Sequence, residues 1–362
     1  MTTLFDPVQL GAVSAPNRIL MAPLTRARAT RAHVPTPIMA DYYRQRASAG
    51  LIISEGVGVS QQGLGWPHAP GLWSAEQVEA WKPVTAAVHE AGGRIFAQLW
   101  HMGRLVHPSF LDGDQPVSAS ATTAPHKAHT YEGRLPHADA RSLRVDEIAG
   151  VVEDYAAAAR NALSAGFDGV QIHAANGYLI DQFLRDGTNL RADEYGGNVE
   201  NRLRLLRETT EAVAAVIGPG RTAVRLSPNG EVQGCNDSAP ATLFPAAAEM
   251  LARIGIAFLE LREPTPEGTF GKPDSPAIAP AIRACFPGPL VLNSDYGFER
   301  AQATLDEGLA DAITFGRLYI ANPDLVERFA TGAPVAGDDQ ATWYSQGAEG
   351  YIDYPPIEAR AA

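Results

Sequence analysis

A helix-like stretch that ends in glycine, followed by a short apolar run, recurs along this chain. It appears as SAG-LIISEG near residue 50, EAGG-RIFAQL near 92 and SAGFDG-VQIH near 166. It returns as IGPGR-TAVRLS near 218, RIG-IAFLELR near 255 and DEGLA-DAITFG near 308. Glycine suits the left-handed turn at a helix C-terminus. The runs after it are short, apolar and often β-branched, as expected of strands buried on both faces. Arg18–Pro23 (RILMAP) and Pro289–Asn293 (PLVLN) add two more strands. The pattern therefore predicts eight β-α units.

Helix starts agree with this spacing. Thr36-Pro37 reads as N-cap and first helical residue, Ser74 precedes AEQVEAW, and Asn198 precedes VENRLRLL. Eight units in one chain predict an α/β fold, a single (β/α)8 barrel over residues 1–362. A doubly wound sheet is the alternative, but no G-x-G-x-x-G follows the first strand, and Gly56-Val-Gly58 lacks the third glycine. The Phe5–Pro16 segment reads as a hairpin closing the bottom of the barrel. Met102–Arg144, after the third strand, is rich in Pro, Ser, His and Gly and reads as a lid. Glu263–Ala277 is a second candidate binding loop.

Composition narrows the class. The chain has 362 residues, 45% hydrophobic and 19% charged, which is globular and large enough to need no disulfide or metal staple. Cys235 and Cys285 are far apart and form no C-x-x-C, which excludes a zinc ribbon or cysteine-held cluster and fits a reducing compartment. The absence of an apolar run of about 18 residues or a signal-like N-terminus predicts a cytoplasmic protein with no membrane partner. A net charge of −12 disfavours nucleic acid.

Catalytic groups of such a barrel sit at the C-terminal ends of its strands. Gly316-Arg317 reads as a phosphate site, or as an arginine paired with a carboxylate. Arg225 lies inside an apolar strand, where a guanidinium needs an anionic partner: a ligand, or an acidic neighbour. His173, Asn176 and Tyr178 fall within six residues. The first two can converge as donors on one carbonyl oxygen, and the phenol can protonate a carbanion. The alternative for each is ordinary packing. Five of the nine histidines (His101, His107, His126, His129, His137) lie at or in the third loop. His126-x-x-His129 is a conceivable metal pair, but a solvated lid with no metal is the expectation.

Together these residues resemble the old yellow enzyme family of flavin-dependent ene-reductases. The likeness runs through LFDPVQLG, NRILMAPLTRARA, GLIISEGVGVS, WPHAPGLWS and FAQLWHMGR. It is strongest in DGVQIHAANGYLIDQFLRDGTNLRADEYGGNVENRLRL, and VRLSPNG, DAITFGRLYIANPDL and GYIDYP complete it.

The resemblance implies FMN at the top of the barrel. Ala22, Pro23 and Leu24 would line the ring, and Thr25 would hydrogen-bond its O4 side. Gly56 and Gln98 would meet its polar edge and Arg225 its N1/C2 edge. Gly316, Arg317 and the backbone of Ser294 and Asp295 would take the phosphate. His173 and Asn176 would grip the substrate, Tyr178 would deliver the proton, Trp100 would shape the wall and Tyr351 would stand near the mouth. Two departures are visible: Asn176 stands where many relatives have a second histidine, and Asn293-Ser294-Asp295 stands where relatives often have small residues. The implied reaction is ping-pong reduction, by NADPH or NADH, of alkenes activated by a ketone, aldehyde, imide or nitro group. Arg134, Arg262 and Lys272 are candidate contacts for the NADPH 2′-phosphate, and the expected state is monomer or homodimer. The rivals are a flavin-free aldolase or isomerase acting on a phosphorylated metabolite, and a non-enzymatic flavin-binding protein.

Overall fold

The computed structural model describes residues 2–357. Eight parallel strands close into a barrel: β1 (Ile19–Met21), β2 (Ile52–Gly58), β3 (Ile95–Trp100), β4 (Gly169–His173), β5 (Thr222–Leu226), β6 (Leu259–Arg262), β7 (Leu290–Asn293) and β8 (Ala312–Phe315). Each pairs with its sequence neighbour, and β8 pairs back to β1. Closure removes every sheet edge and excludes the doubly wound alternative.

Helices follow the strands: α1 (Pro37–Arg44), α2 (Ala75–Glu90), α3 (Val145–Ser164), α4 (Val199–Ile217), α5 (Pro240–Ile254), α6 (Ala279–Cys285), α7 (Phe298–Asp306) and α8 (Leu325–Thr331). Two of the three expected caps form. Ser74 Oγ accepts from Gln77 N at 3.2 Å while Gln77 Oε1 accepts from Ser74 N, a reciprocal capping box. Asn198 Oδ1 accepts from Asn201 N at 2.9 Å. Thr36 does not cap with its side chain, because its hydroxyl donates to Arg28 O at 2.6 Å. The glycine punctuation has two physical origins. Gly255 ends α5 at φ +78°, where a side chain is strained. Gly50 is needed for space, since a Cβ there would lie 2.1 Å from Asn17 O.

The predicted bottom hairpin is present: Val8–Leu10 pairs antiparallel with Val13–Ala15. Val8, Leu10, Val13 and Ala15 join Leu20, Ile53, Phe96, Ala223 and Phe258 in one buried cluster, so the hairpin seals the N-terminal mouth of the barrel. At the other end the third loop is more ordered than a plain lid. It carries an antiparallel hairpin, Lys127–Thr130 with Gly133–Pro136, and a short pair, Val117–Ser118 with Arg141–Ser142. Among the described residues no helix is long and apolar enough to cross a membrane.

Candidate active site

Inside the barrel the apolar filling gives way to a polar layer just below the strand ends. Gln98 Nε2 donates to Gln171 Oε1 at 2.8 Å, and Gln171 Nε2 donates to Glu260 Oε2 at 2.6 Å. Thr314 Oγ1 donates to Glu260 Oε1 at 2.6 Å. Arg225 Nε stands 3.7 Å from the same carboxylate oxygen, while its Nη2 donates to Asn293 Oδ1 at 2.7 Å. Both sequence readings of Arg225 thus describe part of it. Glu260 is its acidic neighbour, yet the arginine also lines the cavity above and its Nε has no hydrogen-bond partner.

That cavity, ≈1040 Å³, opens at the C-terminal end of the barrel. It brings together Ala22, Pro23, Leu24, Thr25, Gly56, Gln98, Trp100, His173, Asn176, Tyr178, Arg225, Ser294, Asp295, Gly316 and Arg317. Tyr351 is a correction: it does not line the cavity. It is fully buried, stacked on Tyr42 at 4.1 Å under the Arg28 guanidinium, which fastens the C-terminal segment to α1. The neighbouring aromatics Trp343 and Tyr344 reach the cavity instead. Sequence reasoning also missed Trp66, whose indole stacks on His129 of the hairpin at 4.5 Å and packs against Tyr344 at 5.2 Å. Its signal was an aromatic residue in the WPHAPGLWS stretch with no helical or strand period to place it.

The donor cluster is held from behind. Asn176 adopts φ +57°, a conformation asparagine tolerates, and its N–H donates to Ser227 Oγ at 2.8 Å. Gly177 N donates to Asp181 Oδ2 at 2.8 Å, and the buried Arg185 Nε donates to Asp181 Oδ1 at 2.8 Å. The fully buried Gln182 ties this loop to the lid, donating to Gly177 O and Met102 O and accepting from Arg104 N and Ser118 Oγ. On the cavity side the His173 and Tyr178 rings meet edge-to-face at 4.9 Å, and Trp100 meets Tyr178 edge-to-face at the same distance. Gly56 makes room for that indole, since a Cβ there would lie 2.6 Å from Trp100 Cε3.

Burial, then the nearby Arg225 charge, hold His173 well below the usual imidazole range, so it is neutral. Burial raises the Tyr178 phenol well above its ordinary value, so it keeps its proton. His173 Nδ1 and Asn176 Oδ1 have no partner within the protein.

At the opposite corner Gly316 leads into a short helix, Arg317–Ala321. A Cβ on Gly316 would meet only Leu24 Cδ2 at 3.4 Å and Ala22 Cβ at 3.9 Å, so the glycine leaves its cavity side open. The Asp295 carboxylate turns into the sixth loop, accepting from Thr269 N at 2.9 Å and Thr269 Oγ1 at 2.5 Å. Burial opposes its ionisation, but these bonds and Arg317 hold it below the usual carboxylate range. Of the cations suggested for a 2′-phosphate, Arg134 and Lys272 are exposed, whereas Arg262 sits buried on β6. His101, expected on a solvated lid, is also buried, and desolvation lowers it to about 3.

Beside the cavity, Glu55 accepts from Arg26 N at 3.3 Å and Tyr43 Oη at 3.2 Å. Burial raises its carboxyl from 4.5 to about 7. A raised carboxyl gives stability present in full below pH 4.5 and lost as pH rises through about 7, because only the unfolded chain ionises freely. Glu55→Gln should therefore stabilise the protein at pH 8 by about 2–3 kcal/mol more than at pH 4.5. Urea midpoints at the two pH values measure this; equal gains would show that folding leaves the Glu55 carboxyl at its ordinary pKa.

An anchoring corner with backbone and guanidinium, an apolar floor, a buried guanidinium and an unpartnered donor wall fit a flat aromatic ring with a phosphate tail. The comparisons agree. Residues 3–335 match the NADH:flavin oxidoreductase / NADH oxidase family. A putative 12-oxophytodienoate reductase 12 of Oryza sativa subsp. japonica is 42% identical, covering 98% of this chain and 89% of its own. The 12-oxophytodienoate reductase 2 of Arabidopsis thaliana is 39% identical, covering 99% and 96%. The structure of an old yellow enzyme homologue from Zymomonas mobilis superposes with TM-score 0.97 at 63% identity, covering 98% of this chain and 99% of its own. Morphinone reductase in complex with tetrahydroNAD superposes at 0.93 and 45%, covering 99% and 98%. With this barrel, this cavity and these relatives, the chain belongs to the old yellow enzyme family of FMN- and nicotinamide-dependent oxidoreductases.

Proposed function

We propose that the protein reduces the C=C bond of α,β-unsaturated ketones, aldehydes, imides or nitroalkenes at the expense of NADPH or NADH. The observation that carries this reading is the donor wall. A neutral imidazole, a carboxamide and a protonated phenol share one side of the cavity, and the buried His173 Nδ1 is left without a protein partner. Ala22–Thr25, Gly56, Gln98, Arg225, Ser294, Asp295, Gly316 and Arg317 would hold FMN, which when bound would supply the hydride chemistry between nicotinamide and alkene.

The chain's own groups do the rest. His173 and Asn176 donate hydrogen bonds to the activating oxygen and stabilise the negative charge that grows there as the β-carbon is reduced. Both are uncharged donors, so they act without a proton being lost or gained. Tyr178 Oη delivers the proton to the α-carbon. Trp100 covers the donors and excludes water from that side. An aldolase of Schiff-base type would need a lysine at a strand end, and none lines this cavity.

Anaerobic turnover of NADPH and 2-cyclohexenone to cyclohexanone by the yellow holoenzyme tests the reading; nicotinamide oxidation that leaves the alkene intact would overturn it. His173→Ala is expected to lower kcat/KM for cyclohexenone by about 100- to 1,000-fold, as for loss of one oxyanion donor. Nicotinamide-dependent bleaching of the flavin absorbance should be affected much less. Steady-state and single-turnover kinetics read the two separately.

A further inference from the structure

Arg262 ends β6, is 2% exposed and lines the same cavity. Its Nη2 donates to Phe270 O at 2.7 Å, and its guanidinium lies 4.8 Å from the Phe270 ring centroid. Gly271 is shaped to it, since a Cβ there would fall 2.7 Å from Nη2. Its Nη1 has no partner. Other buried guanidiniums are better supplied. Arg26 and Arg46 each donate to several backbone carbonyls, and Arg185 is paired with Asp181. Among the described residues, the other arginines with an unpartnered buried nitrogen lack a partner at Nε alone. Among the described residues no carboxylate forms an ion pair with Arg262; burial, with Arg225 and Arg185 adding repulsion and the more distant Asp181 and Asp295 offsetting part of it, lowers it to about 10.

A buried cation without a counter-charge costs several kcal/mol, and such groups are retained where a ligand brings the anion. Arg262 is linked to both sides of the cavity: Phe270, whose carbonyl it bonds, follows Thr269, which Arg317 and Asp295 hold. A Cβ on Gly177, in the donor loop, would touch Val232 O at 2.6 Å and Gln233 Cβ at 2.7 Å, and a Cβ on Gly271 would lie 3.7 Å from Val232 Cγ2. The Arg262 head is therefore joined through Val232 to the wall that carries Asn176. The phosphate corner has its own cation in Arg317.

We infer that Arg262 is a specificity-determining residue that binds a carboxylate on the alkene substrate, at a point separate from the activating carbonyl held by His173 and Asn176. This rests on the ene-reductase reading and names a substrate class for it: enones that carry a second, anionic oxygen group. The carboxylate accepts from Nη1 and supplies the missing counter-charge.

The probes are cyclohexenones bearing carboxyalkyl arms of one, two or three methylenes, each with its methyl ester. Dissociation constants are read from perturbation of the holoenzyme flavin spectrum, and kcat/KM from NADPH-driven reduction. A charge-assisted hydrogen bond is worth about 10- to 100-fold in Kd, so at least one acid should bind that much more tightly than its ester. Arg262→Gln should abolish the preference, and Arg262→Lys should keep part of it. Arg262→Gln should also raise the melting temperature of the ligand-free holoenzyme, because a lone buried charge is gone. An acid-to-ester ratio within threefold for every arm overturns the inference. So does a ratio unchanged in Arg262→Gln, and so does a loss of FMN affinity in that variant with the ratio intact, which would assign the guanidinium to the cofactor. The two readings fail separately. Esters reduced without acid preference refute only the role of Arg262. Alkenes bound but never reduced refute the ene-reductase reading, while the Kd ratios still decide Arg262.

Discussion

Tyr178→Phe should leave flavin reduction by nicotinamide intact and slow enone turnover by about 100- to 10,000-fold, the range for a positioned general acid. The substitution removes one oxygen and keeps the ring. The edge-to-face contacts with Trp100 and His173, both at 4.9 Å, survive, so the pocket wall is preserved and the proton is lost. Burial raises the phenol further above its ordinary value, which keeps it protonated through the working pH range. Stopped-flow separation of the two half-reactions is the measurement. The oxidative half-reaction should fall with cyclohexenone and be spared with nitroalkenes, whose reduced nitronate leaves the site without a protein-borne proton. Normal enone turnover in the variant would remove Tyr178 from the donor role.

The second large effect is on the barrel itself. Arg225→Met should destabilise the fold by about 3–5 kcal/mol, the cost of stripping the partner from a buried charge. Glu260 is fully buried and holds two hydrogen bonds, from Gln171 and Thr314, with Arg225 as its nearest cation at 3.7 Å. Asn293 Oδ1 would lose its donor as well. If the loss comes from the stranded carboxylate, Arg225→Met with Glu260→Gln should recover most of it, since the amide carries no charge. Urea unfolding of the four members of this cycle gives the coupling energy. Additive losses would mean that Arg225 stabilises through packing and not through Glu260. The same variants report on the flavin. The double variant should fold yet purify with less FMN if, as proposed, the Arg225 guanidinium faces the ring edge.

The periodic signal carried the architecture. Six short apolar runs, each after a glycine-terminated helix-like stretch, and two more without that signal placed the strands, and the barrel closed because strands apolar on both faces need cover on both. Residues at strand ends were legible for the same reason: a barrel directs them to one rim, so Thr25, Gln98, His173, Arg225 and Gly316 share a cavity although they are spread over most of the chain. The alternation Leu259-Glu260-Leu261-Arg262 also sends two charged side chains the same way. Its meaning depends on what each meets. Glu260 meets Arg225, whereas Arg262 Nη1 has no hydrogen-bond partner.

Segments without a period were where reading the chain failed. Tyr351 sits in a C-terminal stretch whose path is set by Arg26, Arg28 and Arg46 bonding its backbone carbonyls, so Tyr351 turns inward onto Tyr42 and Tyr344 takes the rim. Trp66, His129 and Tyr344 come from three separate loops and meet only in space. Local order follows from side-chain periodicity and turn chemistry, which any stretch of chain displays. Which loop covers the barrel mouth, and which buried charge is left without a partner, depends on contacts between residues hundreds of positions apart, and only the folded chain settles those.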